Sequence, residues 1–192
     1  MKKLAPFIAL TLTLLIISKP AVSAPTIKSK INYYLVSGKT ANKIRKNINR
    51  KTPIHQNGKS YDAYTKWFVK WNYWWDQSKN SCEITKVKTN INIQFTLPKL
   101  KITSALPKPL KRKWENYMKA LSRHEDGHKQ ISLRAANEIE RKILNMSPRR
   151  TCKKLEIDAN NIGNKILKKF IRIEKEYDRK NNHGMNDGAI FP

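Results

Sequence analysis

The chain has few acidic residues, only two cysteines and only six glycines among its 192 residues. Its 14 aspartates and glutamates stand against 40 lysines and arginines, which gives a formal net charge of +26. This shortage of negative charge indicates affinity for polyanions such as nucleic acid, anionic lipid or an anionic polymer of the cell envelope, although a lysine-rich composition alone explains it equally well. The sequence also lacks internal repeats and low-complexity linkers, which excludes a repeat array.

One long apolar run is present, from Leu4 to Ile17, and it is too short for a comfortable membrane span. It follows Lys2 and Lys3 and precedes small residues at 21–24, an arrangement typical of a secretory signal peptide. Residues 1–24 are therefore predicted to be removed, and the mature protein is predicted to be periplasmic or secreted, with no transmembrane segment left. An uncleaved anchor is the alternative. Cleavage removes three lysines and no acid, so the charge falls from +26 to +23.

Both cysteines, Cys82 and Cys152, lie beyond this leader. An exported protein enters an oxidising compartment, so one disulfide between them is predicted. It would close a loop of about 70 residues and, in the chain-entropy picture, contribute a few kcal/mol to stability.

The hydrophobic pattern predicts an α+β fold in a single domain, residues 25–192, with a β-rich part at 25–100, a helical part at 107–178 and a C-terminal tail at 179–192. Ile31–Val36 is predicted as a short strand, followed by a small helix with Thr40 as its N-cap. Residues 67–75 and 87–97 alternate apolar and polar side chains on either side of a turn, which predicts a long antiparallel hairpin with one apolar face.

The hairpin carries a group of tryptophans whose spacing predicts their burial. The period of two puts on the apolar, buried face Trp67, Trp71 and Trp75. Trp74 falls on the opposite face and is predicted to be exposed.

Two long helices are predicted after the hairpin, from about residue 107 to 146 and from about residue 152 to 177. Each has an apolar stripe with spacings of three and four residues. The connection between them is short, so the second helix is expected to return antiparallel to the first, with the small sheet packed on the pair.

The first of these helices carries the segment LSRHEDGHKQIS at 121–132, which contains His-Glu-x-x-His in His124, Glu125 and His128. Residues i and i+4 project from one face of a helix, so both imidazoles can bind one zinc ion at about 2.0–2.1 Å. The glutamate beside the first histidine can accept a proton from water at the metal. The alternative is a pair of ordinary core or surface histidines.

A catalytic zinc needs a third protein ligand. The extended form of the motif would need histidine at position 134, where this chain has Arg134. The antiparallel return of the second helix brings residues near 170–178 level with the motif, and the tail follows directly. His183 is predicted as the third ligand, because Gly184 after it lets the backbone approach closely. Glu174 and Asp178 are the competing candidates.

Several segments together resemble one bacterial family. They are HEDGH at 124–128, LP at 106–107, KWENYMKAL at 113–121, the two cysteines and the ending YDRKNNHGMNDGAIFP at 177–192. The chain is similar over nearly its whole mature length to domain of unknown function 922, described as predicted secreted zinc-dependent proteases. The resemblance implies a zinc-binding hydrolase with the histidine motif at its centre. The family's closing Tyr-Asp and His-Gly pattern falls on Tyr177, Asp178, His183 and Gly184.

These features predict a zinc-dependent metallopeptidase of the cell envelope that hydrolyses peptide bonds. Zinc would be the cofactor, held by His124, His128 and His183, and Glu125 would be the general base. One alternative is a non-catalytic basic envelope protein that binds an anionic polymer. Another is a zinc amidase acting on cell-wall peptides. The sequence does not distinguish these substrates.

Overall fold

The computed structural model describes residues 24–56, 58–101 and 106–191, so residues 1–23 of the predicted leader lie outside the described residues. The fold is α+β, with a small mixed sheet and three helices in the described part, as predicted in class. In chain order the elements are β1 (Thr26–Val36), α1 (Ala41–Lys51), β2 (His55–Gln56), β3 (Lys59–Ser60), β4 (Tyr64–Ser78), β5 (Ser81–Leu100), α2 (Lys108–Leu144), α3 (Cys152–Asn181) and a 3₁₀ turn (Met185–Asp187).

The main sheet has the strand order β1-β5-β4. The strands β4 and β5 form the predicted antiparallel hairpin, in which Trp67 lies opposite Ile93. The strand β1 runs parallel to β5, with Thr26 opposite Asn90, so the sheet is mixed and not antiparallel throughout. A parallel pair needs a long crossover, and here the chain passes through α1 and β4 before β5 begins.

The core lies between the hairpin and the two long helices. Alternate residues of β5 point towards α2, and the apolar stripes of α2 and α3 close over them, as the period-two and period-3.6 patterns require. The buried residues of this core include Val87, Ile91, Ile93, Ile131, Ala135, Ile139, Leu155, Ala159, Ile166 and Phe170. A second cluster joins α1 to the first half of α2 through Ile44, Ile48, Tyr117 and Leu121.

The tryptophans follow the prediction only in part. Trp67 and Trp71 pack against the helices and are partly buried, and Trp74 is exposed, as predicted. Trp75, predicted in the core, is 40% exposed. The register of the hairpin shifts between Trp74 and Trp75 and leaves the extra residue in β5, because Trp74 lies opposite Lys86 and Trp75 opposite Ile84. Trp75 therefore stays on the face of Tyr73, 5.9 Å away between ring centroids, and its exposure comes from its position near the end of the edge strand β4.

The disulfide Cys82–Cys152 is present, as predicted. It joins the start of β5 to the first residue of α3. The backbone N–H of Cys82 donates to the carbonyl of Arg149 at 2.7 Å, and the N–H of Arg149 donates back to the carbonyl of Cys82 at 2.9 Å. The connection between α2 and α3 is therefore attached to the sheet both covalently and by a short β-bridge.

Removal of the disulfide should destabilise the protein strongly. Its two cysteines are 70 residues apart in the chain, and a cross-link that closes a loop of about 70 residues contributes about 4 kcal/mol in the chain-entropy model. We expect the Cys82→Ala/Cys152→Ala variant to lose about this much free energy of unfolding in urea titrations. Reduced wild-type protein is the control and should match the variant. Equal stability of oxidised wild type and variant would contradict the prediction.

Candidate metal centre

The His-Glu-x-x-His segment lies in the middle of α2, on the side that faces α3. His124, Glu125 and His128 are each exposed to 5% or less. The helices α2 and α3 are antiparallel, because Glu138 pairs with Lys169 while His124, earlier in α2, pairs with Asp178, later in α3. The last turns of α3 therefore lie beside the motif.

Three side-chain atoms from these two helices converge on one point. His124 Nε2 and His128 Nε2 are 3.4 Å apart. Asp178 Oδ1 lies 3.1 Å from the first and 3.0 Å from the second. Ligand atoms held at about 2.0–2.1 Å by a tetrahedral zinc ion are separated from one another by about 3.3–3.4 Å. The donor set and its spacing therefore fit a zinc ion.

The other nitrogen of each imidazole, Nδ1, is incompletely paired in the folded protein. His124 Nδ1 is buried and has no hydrogen-bond partner among the described residues. His128 Nδ1 lies 3.3 Å from Glu174 Oε1, in an alignment too poor for a hydrogen bond. Burial of incompletely paired polar atoms is costly unless a ligand compensates for it. A cation at the Nε2 atoms would not pair with either Nδ1 atom, so the fit to a metal ion depends on the spacing of the three donor atoms.

Charge in the site is distributed between the histidines and the carboxylates. Burial by itself would lower the pKa of His128, but contacts with Asp178 and Glu174 raise it to about 10. Burial would raise the pKa of Asp178, yet hydrogen bonds from His124 and His128 hold it well below its usual value. Without a metal, a protonated His128 and an ionised Asp178 therefore form the favoured pair.

Glu125 is held by a residue of the sheet. The hydroxyl of Thr65, in the second position of β4, donates to Glu125 Oε2 at 2.5 Å. Burial raises the pKa of Glu125, and the hydrogen bond from Thr65 opposes this shift. Sequence reasoning missed Thr65, although a threonine that continues the inward row of Trp67 and Val69 was a usable signal.

A cleft of about 320 Å³ gives access to this group of side chains. His124, Glu125, His128 and Asp178 line one part of it. The rest of the lining comes from α1, from the segment before and at the start of β4 and from the C-terminal tail, and includes Arg45, Asp62, Tyr64, His183 and Phe191. The motif side chains are therefore almost fully buried, yet a small ligand or part of a polymer can reach them through the cleft.

Two of the six glycines are required by close approach to this site. A Cβ at Gly127 would lie 2.2 Å from Tyr177 Oη, and one at Gly184 would lie 2.9 Å from His124 Cγ. Tyr177 stacks on the His124 ring at 4.9 Å between centroids and donates its hydroxyl to the His124 carbonyl at 3.2 Å. Gly127 therefore makes room for the aromatic ring that holds His124.

His183, predicted as the third ligand, lies at the rim of the site. The helix α3 continues to Asn181, beyond the predicted end at Tyr177, and His183 follows in a left-handed conformation with φ of 51°. Its Nδ1 is 3.7 Å from Asp178 Oδ1, and its side chain is 43% exposed. The ligand atoms that lie within 4.8 Å of one another belong to His124, His128 and Asp178. A ligand role for His183 stays a prediction, and the geometry favours Asp178.

The stability of the metal-free protein should fall as pH rises above neutrality. The pKa of His128 is raised from 6.5 to about 10, so its protonated form stabilises the fold fully below pH 6.5 and this contribution is lost towards pH 10. The lowered pKa of Asp178 acts on the acid side, where stability is lost as the pH falls below the usual carboxyl pKa. Urea midpoints measured with a chelator from about pH 6 to pH 9 would show the alkaline decline.

The control for this measurement is His128→Gln, in which the decline should be much smaller. An unchanged slope in that variant would assign the pH dependence to another group.

The matched sequence region and the site coincide. Residues 31–184 match a family described as "Bacterial protein of unknown function (DUF922)", and this range contains every residue of the candidate metal centre. No curated protein and no solved structure matches the chain. Since the match covers most of the sequence, the chain belongs to the DUF922 family of bacterial proteins.

Proposed function

We propose that the protein is an exported zinc-dependent metallopeptidase, with its zinc site carried by the paired helices α2 and α3. The observation that supports this most strongly is the set of three donor atoms of His124, His128 and Asp178, 3.0–3.4 Å from one another, in a cleft that Glu125 also lines. Two imidazoles and one carboxylate are a common ligand set for catalytic zinc, which keeps a fourth position open.

Asp178 is proposed as the third ligand in place of His183. Its Oδ1 already lies within about one ligand-to-ligand distance of both imidazoles. His183 contacts Asp178 and packs its ring 4.4 Å from that of Tyr61, on the substrate side of the cleft. From there its imidazole could hold Asp178 or a bound substrate. It remains the alternative ligand predicted from the sequence.

The ligands are oriented by their neighbours. Glu174 Oε1 faces His128 Nδ1 and also accepts a hydrogen bond of 2.8 Å from Trp67 Nε1, which fixes the carboxylate between sheet and helix. The negative charge of Glu174, 3.3 Å from Nδ1, favours the tautomer with the proton on Nδ1 and leaves Nε2 free to act as a ligand. Stacking of Tyr177 on His124 restricts the orientation of the other imidazole ring.

The chemistry assigned to the chain itself is proton transfer at Glu125. Zinc bound in this site would act as a Lewis acid and lower the pKa of water. The Glu125 carboxylate would take the proton from the attacking water and deliver it to the leaving amine. Burial raises the pKa of this carboxyl in the metal-free protein, and a general base works best when its pKa lies near the working pH. Thr65 restricts the orientation of the carboxylate through Oε2.

Zinc binding by single variants tests the ligand set. Asp178→Ala should lose zinc as severely as His124→Ala, because each removes one of three protein ligands, whereas His183→Ala should keep affinity within a few fold of wild type. Zinc content after dialysis and competition with a chelating dye would measure this. Loss of zinc in His183→Ala but not in Asp178→Ala would favour the histidine triad. Zinc retained by both His124→Ala and Asp178→Ala would eliminate the site.

Hydrolysis is tested by separating zinc from activity. Glu125→Gln should bind zinc like wild type and cleave peptides about 10²–10⁴-fold more slowly, since it cannot accept a proton. Products from an unbiased peptide mixture would be identified by mass spectrometry. The matched control is Asp126→Asn, the neighbouring carboxylate, which is exposed and pairs with Lys129. A fully zinc-loaded wild type that cleaves no peptide would remove the peptidase proposal and leave the metal site intact.

A further inference from the structure

The side of the sheet away from α2 and α3 carries an organised set of lysines. We call this side the outer sheet face, and its exposed basic residues are Lys28, Lys30, Lys66, Lys70, Lys86 and Lys88. On β4 and β5 these lysines alternate with buried residues, and on β1 the register places Lys28 beside Asn92 and Lys30 beside Gln94, so all six share one face. The register aligns Lys30, Gln94 and Lys66 in one row across the three strands.

The positive charge of this face is only partly offset, because its exposed carboxylates Asp76 and Glu83 lie together near the turn of the hairpin and are fewer than the six lysines. Among the described residues, none of the six lysines forms an ion pair with a carboxylate. On the helices, by contrast, several lysines do, such as Lys154 with Asp158 and Lys169 with Glu138. Because like charges repel one another, a concentration of unpaired ammonium groups on one face is stabilised by an anionic partner.

Neutral polar and aromatic side chains lie between the lysines. The central strand presents Asn90, Asn92 and Gln94 at alternate positions, flanked on both sides by the basic rows. Phe68 and Trp74 are exposed on the same face, and each has a lysine ammonium 5.1 Å from its ring centroid. Amides donate and accept hydrogen bonds, ammonium groups pair with anions, and exposed rings offer apolar contact.

We propose that the outer sheet face binds an acidic polysaccharide, a chain of sugar hydroxyls with carboxylate or phosphate groups at intervals. The amide column fits the hydroxyls and the flanking lysines fit the anionic groups. Phe68 and Trp74 are six residues apart on β4, about 20 Å, which is too far for them to stack neighbouring bases of a nucleic acid. A membrane surface would favour an apolar centre, where this face has amides. This second site lies across the sheet from the metal centre and does not depend on it.

Binding of polygalacturonate to the disulfide-bonded mature chain, compared with neutral dextran at the same ionic strength, tests the proposal. Wild type should prefer polygalacturonate by about tenfold or more, and a variant with Lys28, Lys30, Lys66 and Lys70 all changed to Gln should lose about tenfold in affinity, since charged contacts on the face are removed. The matched control changes four exposed lysines of α3 to Gln, namely Lys153, Lys165, Lys168 and Lys175. It removes the same charge and should bind within about twofold of wild type.

Equal losses in the two variants would show that binding follows net charge, and would overturn the proposal. Tighter binding to oligothymidylate or to vesicles containing phosphatidylglycerol, at equal ionic strength, would replace the polysaccharide with a nucleic acid or a membrane. Unfolding midpoints and zinc content of both variants should match wild type, because every substituted lysine is exposed. If the outer-face variant is unfolded, the same comparison is made with two double variants. Lys28→Gln/Lys30→Gln should lose affinity for polygalacturonate, and the control Lys165→Gln/Lys168→Gln should not.

Discussion

A single carboxylate oxygen, Asp178 Oδ1, lies about 3 Å from the Nε2 atoms of two buried imidazoles, and much of the fold serves to keep it there. The histidines come from one helix and the carboxylate from another, 54 residues after His124 in the chain. The helices must therefore pack in one register along their length. Gly127 permits the close approach, and Tyr177 fills the space by stacking on His124. The sheet contributes from the other side, through Trp67 to Glu174 and through Thr65 to Glu125.

How much of this could be predicted from the sequence depends on the range of the interactions. The i, i+4 spacing placed His124 and His128 on one face of α2, because helical period is a local property. The hairpin followed from alternation in the same way. The parallel pairing of β1 with β5 could not be read locally, since it joins segments about 64 residues apart through a crossover. Burial of Trp75 was predicted wrongly because alternation gives the face of a side chain and not how far the packing over that face extends along an edge strand.

The candidate third ligands also could not be separated by local sequence patterns, although they lie within ten residues of one another. The sequence offered Glu174, Asp178 and His183, all level with the motif. What separates them is the end of α3, which continues to Asn181 and keeps Asp178 on the helix face towards the imidazoles. Asn182 and His183 then adopt left-handed conformations that turn the chain away. Left-handed residues other than glycine are uncommon, so neither helix length nor side-chain aim could be inferred from residue types.

The positions of the basic residues on the surface follow from the fold and not from the composition. Composition indicated a polyanion partner without saying where it binds, and a lysine-rich proteome would give the same numbers. The register of three strands converts that composition into rows of ammonium groups on one face, with amides between them. The metal centre and the basic face share β4, whose inward row contacts the motif helix and whose outward row carries Lys66, Phe68 and Lys70.

The helix α3 is covalently attached to the sheet at its N-terminal end, so a small change in its angle there produces a large displacement at its other end. Its first residue is cross-linked to the sheet by Cys152, and Asp178 lies 26 residues further on, about 39 Å away at 1.5 Å per residue. A tilt of about 2° at the cross-linked end would move the carboxylate by roughly 1.4 Å, enough to break its contacts with the two imidazoles. Gly163 lies between the two ends of α3 and packs against the Trp71 ring, so closely that a Cβ there would be 2.5 Å from Cζ2. Substitutions at Gly163 should therefore move the Asp178 carboxylate, 15 residues further along, by changing the angle of α3.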